Sequence, residues 1–164
     1  MAIYFGIDPG RSGSVSAIWD DGTPWDGSPC KLDGTGKDIA DWFHQFDLHR
    51  ARAVLEKVHA GVFGAIGKDK RSMGVVSAFS FGQSYGHIQG ILDANEVPYV
   101  FVTPQEWMKS YGIGTASKCA SRTEWKNKLK AEAQRRWPFL RITHANADSL
   151  LIAEWARTQG WRHP

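Results

Sequence analysis

At 164 residues, 42% hydrophobic and 23% charged, the chain has the size and balance of one globular domain with its own core, not of a disordered segment. No apolar run approaches the ~20 residues needed to cross a bilayer, and no signal-peptide pattern follows Met1. Cys30 and Cys119 stand alone, which excludes a disulfide framework or zinc ribbon, so a cytoplasmic protein with no membrane contact is expected. The net charge of +3 is unevenly spread: residues 1–48 hold eight Asp against three cations, and residues 118–136 hold seven Lys and Arg against two Glu.

The chain opens on a buried strand, Ile3 to Ile7, rich in β-branched and aromatic residues. Asp8-Pro9-Gly10 turns it, and Ser12-Gly13-Ser14 leads into a second strand, Val15 to Trp19. This hairpin presents one carboxylate, Asp8, at the end of a core strand, although the same residues also read as an ordinary Asp-Pro-Gly turn. Thr23 to Leu32 reads as a third, edge strand, and Lys37 to His49 has helical spacing through Ile39, Trp42, Phe43, Phe46 and Leu48. Arg52 to Val58 is a second core strand with Glu56 near its end. A helix between two strands implies a crossover and a parallel pair, which sets Asp8 and Glu56 at one edge of the sheet.

From His59 to Ser72 the periodicity lapses into a basic, glycine-containing loop with Lys68, Lys70 and Arg71. Met73 to Asn95 reads as a long helix with Val76, Phe79, Ile88, Ile91 and Leu92 as apolar contacts. Gly82, Gly86 and Gly90 recur along it, each costing about 1 kcal/mol relative to Ala, so close packing is expected there. Val97 to Val102 is a further strand. Thr103-Pro104-Gln105-Glu106 carries the cap, first-position Pro and third-position Glu of a helix start. A glycine-broken loop ending at Lys118 precedes a basic helix from about Ser121 to Trp137, stopped by Pro138. Taken alone such a charge run is a solvated helix face; beside acidic strand ends it suits a polyanion held over a metal site. In the last helix Asn146 is expected as N-cap, which would place Asp148 in the first turn.

Three carboxylates, Asp8, Glu56 and Asp148, therefore fall at element ends. Brought together, such groups repel unless a divalent cation neutralises them, and hard oxygen donors select Mg²⁺ or Mn²⁺. Two such ions ~4 Å apart activate water and stabilise the leaving oxygen of a phosphodiester.

Six motifs carry a resemblance. Gly6-Ile7-Asp8-Pro9-Gly10, Leu55-Glu56-Lys57-Val58, Gly82-Gln83-Ser84-Tyr85-Gly86, Thr103 to Lys109, Gly112 to Lys118 and Ala147-Asp148-Ser149-Leu150-Leu151 occur in the order seen in RuvC-type Holliday junction resolvases. The chain resembles that family over nearly its whole length, and its phage branch most in the tail Asp148 to Glu154. The first motif alone is also similar to the phosphate loop of actin-like kinases, but the chain is too short for their two lobes.

The resemblance implies one RNase H-like α/β domain over residues 1–164, a mixed central sheet flanked by helices. It implies a Mg²⁺-dependent endonuclease that resolves four-way and other branched DNA junctions, usually as a homodimer. In that scheme Asp8 bridges two Mg²⁺ ions, for which Mn²⁺ substitutes, with Glu56 and Asp148 on either side and Lys118 completing the catalytic set. Lys109 and Lys118 match basic residues near the scissile phosphate, and the wedge position is His59, or Phe63 deeper in the loop. Lys57, Lys68, Lys70, Arg71 and Arg122 complete the expected DNA-binding set. Where many relatives carry a fourth ligand, this chain has Ala145. His144 is then either an imidazole ligand or proton shuttle, or a helix-entry residue making ordinary hydrogen bonds. The rival reading is a non-cleaving branched-DNA-binding module of the same fold.

Overall fold

The computed structural model describes residues 1–9, 13–25, 30–32, 35–58, 75–114, 119–159 and 161. Five strands, β1 (Ile3–Ile7), β2 (Ser14–Trp19), β3 (Cys30–Lys31), β4 (Ala51–Glu56) and β5 (Tyr99–Val102), form one sheet in the order β3-β2-β1-β4-β5. β2 runs antiparallel to β1 and β3, whereas β1, β4 and β5 run parallel. Ile7 sits opposite Leu55, so the chain delivers Asp8 and Glu56 to the same end of adjacent central strands. The mixed sheet expected from the sequence is the one observed.

Strand alternation divides the interior into two cores. Ile3, Phe5 and Ile7 face α1 (Gly36–Phe43) and α2 (Val75–Ala94), where Trp42, Phe43 and Phe46 surround Phe5 at ring-centroid distances of 5.8, 4.9 and 5.3 Å. The other face packs Tyr4, Ile18, Val54 and Val102 against α3 (Pro104–Lys109), α4 (Arg122–Arg136) and α5 (His144–Thr158). Gly6 belongs to this second face. A Cβ there would stand 2.0 Å from the Ser149 carbonyl oxygen and 2.3 Å from the Ala153 nitrogen, so α5 lies against β1 backbone to backbone. Only glycine permits that approach.

Several elements differ from the sequence expectation. Of the third strand expected over Thr23 to Leu32, the described residues show Cys30–Lys31 as β3 and an isolated bridge between Pro24 and Ile18. α1 ends at Phe43 instead of reaching His49, because the Asp47 carboxylate accepts from His49 N–H and starts a separate 3-10 turn, Leu48–Arg50. α5 begins earlier than expected. Thr143, not Asn146, is its N-cap: the Thr143 hydroxyl accepts from Asn146 N–H while Asn146 Oδ1 accepts from Thr143 N–H at 2.7 Å. That reciprocal pair satisfies two end donors at once, and it moves Asp148 into the second turn. On α2, Val76 and Phe79 are 80% and 67% exposed instead of packed. A Cβ at Gly82, Gly86 or Gly90 would meet nothing within 4 Å among the described residues, whereas at Gly6 the bare backbone is required.

Candidate active site

Each of the three carboxylates is held by a different device. Asp8 follows β1 directly; its N–H donates to the Ser14 carbonyl at 3.1 Å, which extends the hairpin pairing beyond the strand and leaves the side chain half-buried. Glu56 is the last residue of β4, and the next N–H, that of Lys57, donates to the Val102 carbonyl at 2.7 Å. The indole Nε1 of Trp107 donates to Glu56 Oε2 at 2.8 Å. Trp107 is fully buried and is set by the start of α3, where Thr103 and Glu106 close a reciprocal cap.

Asp148 reaches the same place from α5. The close approach at Gly6 brings the helix down, and three buried hydroxyls fix it. Ser14 Oγ donates to the Ala145 carbonyl at 2.8 Å, and Ser14 and Ser16 meet Ser149 Oγ at 2.8 and 2.7 Å. Beside this pin, Asp148 is buried and ion-paired through Oδ2 with the Lys126 ammonium from α4, while its Oδ1 is buried with no hydrogen-bond partner among the described residues.

The electrostatics record the convergence. Glu56 is pushed up to about 7, first by burial and then by the negative charge of Asp8, with Asp148 adding to the rise; the Trp107 hydrogen bond and the Lys126 charge work against it. The three acids thus share one electrostatic neighbourhood although they lie far apart in sequence. Among the described residues, no three His, Cys, Asp or Glu side chains are gathered tightly enough to hold an ion unaided. Mg²⁺ does not require such a cage: it keeps several waters and takes one or two carboxylates together with substrate phosphate oxygens. An unpartnered buried oxygen on Asp148 and mutual repulsion at Glu56 fit that demand.

The remaining expected residues divide into two groups. Lys57, Lys109 and Arg122 are exposed, directly after β4, at the end of α3 and at the start of α4. His144 is exposed at the first position of α5, where its Nε2 lies 2.9 Å from Asn127 Oδ1. His59, Phe63, Lys68, Lys70, Arg71 and Lys118 lie outside the described residues. Sequence reasoning missed Trp107, Lys126 and the Ser14–Ser16–Ser149 cluster. The alternation of Ser14 and Ser16 within an otherwise apolar strand was the one available signal.

No protein-family model and no curated protein sequence matches this chain. The strand order, with antiparallel β3-β2-β1 continuing into parallel β4 and β5 and helices on both faces, defines the RNase H-like class of α/β folds. Among solved structures the chain is similar to RuvC of Thermus thermophilus. It matches the RuvC structure in complex with a Holliday junction substrate with a TM-score of 0.62 at 13% identity, covering 96% of each chain. A second Thermus thermophilus RuvC structure matches with a TM-score of 0.58 at 15% identity, again over 96% of both chains. At such identity the likeness is one of fold.

Proposed function

We propose that this chain is a divalent-metal-dependent endonuclease that resolves four-way and other branched DNA junctions, a RuvC-like resolvase of the phage type. The observation that carries the reading is the shared electrostatic neighbourhood of Asp8, Glu56 and Asp148, in which Glu56 is raised first by burial and then by the charges of Asp8 and Asp148. The likeness to RuvC, one structure of which holds a Holliday junction, supports the substrate.

Asp8, Glu56 and Asp148 would hold the Mg²⁺ or Mn²⁺ ions. Bound there, the ions supply activation of the attacking water and stabilisation of the leaving oxygen. The protein's own part is orientation: Trp107 aims Glu56, and the serine cluster with Gly6 sets Asp148. Lys57, Lys109 and Arg122 contact DNA phosphates, and the resemblance adds His59, Lys68, Lys70, Arg71 and Lys118, the last beside the scissile phosphate. His144 lies one helical turn before Asp148 on the same face and is the remaining candidate for a further ligand. Two symmetric cuts across a four-way junction call for a two-fold homodimer. Among the described residues no helix is long and apolar enough to cross a membrane, and a cytoplasmic location suits the substrate.

The test is cleavage of synthetic four-way, three-way and linear duplex DNA by wild type and Asp8→Asn, with Mg²⁺ or EDTA. Wild type should cut the branched substrates only with metal, and Asp8→Asn should be slower by on the order of 10³-fold. Cutting retained by Asp8→Asn would overturn the residue roles. Junction binding without any cutting in Mg²⁺ or Mn²⁺ would leave the non-cleaving module instead.

A further inference from the structure

The ion pair between Lys126 and Asp148 joins a cation on α4 to a carboxylate of the cluster, and the general basic character of that helix does not account for it. The Asp148 side chain is 7% exposed and that of Lys126 24%, so solvent screens this pair far less than the exposed Lys37–Asp41 and Lys128–Glu124 pairs elsewhere on the surface. The pair is also registered. Asn127, the next residue, is bonded to His144, one turn before Asp148, so two consecutive side chains of α4 grip two successive turns of α5. Only one oxygen of Asp148 is used by the ammonium; the other is buried and has no partner among the described residues.

Resting on the metal-site reading above, we propose that Lys126 is an internal counter-ion of the carboxylate cluster. It holds Asp148 in place while no divalent cation is bound and competes with that cation for Oδ2. A buried carboxylate without any partner is costly, which explains why a cation from the chain itself is stationed there. Charge balance sharpens the idea. Once all three carboxylates are ionised, one ammonium leaves two net negative charges, which a single divalent ion neutralises with Lys126 still in position. A second ion has to displace the ammonium. Lys126 therefore separates the two binding steps, weakening the second, and acts as a positioning residue.

The experiment uses DNA-free protein and Mn²⁺ alone, titrated calorimetrically and by the electron paramagnetic resonance signal of free Mn²⁺. Lys126→Met should tighten the weaker binding step about tenfold, because a unit charge close to the ion is gone. Lys126→Arg, which keeps the charge, should stay near wild type. The metal-free melting temperature of Lys126→Met should fall while its rise on adding Mn²⁺ exceeds that of wild type. A measurement on the unaltered protein runs alongside: reductive methylation read by mass spectrometry should label Lys126 faster once Mn²⁺ is present. Unchanged or weaker Mn²⁺ binding by Lys126→Met, or Lys126 labelling indifferent to Mn²⁺, would overturn the proposal. Failure of the underlying reading looks different. In that case wild type gives no saturable Mn²⁺ binding, or Asp8→Asn binds as wild type does.

Discussion

The two faces of the sheet are built by different means. Toward α1 and α2 the contact is aromatic and aliphatic: Phe5 meets Trp42, Phe43 and Phe46 edge to face, and no charge is buried there among the described residues. Toward α5 the backbone itself touches the sheet at Gly6, serine hydroxyls bond across the interface, and an ionised pair sits under cover. Side chains of the first kind can adjust when one changes. Backbone contacts and buried hydrogen bonds cannot, and the face that bears the carboxylates is the one with the least room for adjustment. Precision there comes at the expense of tolerance to substitution.

The sharpest way to break this contrast is Gly6→Ala. The added methyl collides with backbone atoms of Ser149 and Ala153 that no rotamer change can clear. Loss of stability above ~4 kcal/mol is expected, in the range reserved for a few severe mechanisms. Urea denaturation measures it, and a loss below about 1 kcal/mol would mean α5 sits further from β1 than described.

A smaller effect follows from Glu56. With its folded value near 7 and the ordinary value at 4.5, the metal-free folded protein binds an extra proton between those pH values. The contribution of Glu56 to stability is therefore greatest below the ordinary value and falls as pH rises through the window, by at most about 1.4 kcal/mol per pH unit. Denaturation midpoints in EDTA at pH 5 and pH 8 should differ more for wild type than for Glu56→Gln, and Glu56→Gln should be the more stable at pH 8. Equal pH dependence in the two proteins would place the charge conflict elsewhere.

The smallest effect lies on the opposite face and has the opposite sign. Gly86→Ala meets open space within a helix and should stabilise by about 0.5–1 kcal/mol. A loss instead would reveal a neighbour that needs the bare backbone.

The central strands, the crossover and the three acids were legible in the sequence because each rests on local signals: dense apolar runs, a turn after Asp8, a carboxylate at a strand end. The start of α5 was misjudged because Thr143 and Asn146 are both good caps, and composition does not say which of them closes a reciprocal pair. The glycine stripe on α2 is not explained by any contact among the described residues, because regular spacing records where a side chain is missing, not what stands opposite. Lys126 was hidden within a charge run, since its partner lies 22 residues on and is chosen by how α4 crosses α5. Ser14 and Ser149 are 135 residues apart, so only the folded chain shows that they touch.

The seam between β1 and α5 has a mechanical consequence. Asp8 and Asp148 ride on two elements clamped at Gly6 and around Ser149, so they behave as a rigid anvil whose spacing is set during folding. α4 is tied to α5 near the cluster through flexible side-chain tips, those of Lys126 and Asn127. The less constrained contact near the cluster is then the one on the α4 side, the jaw of a vice whose bed is the seam between β1 and α5.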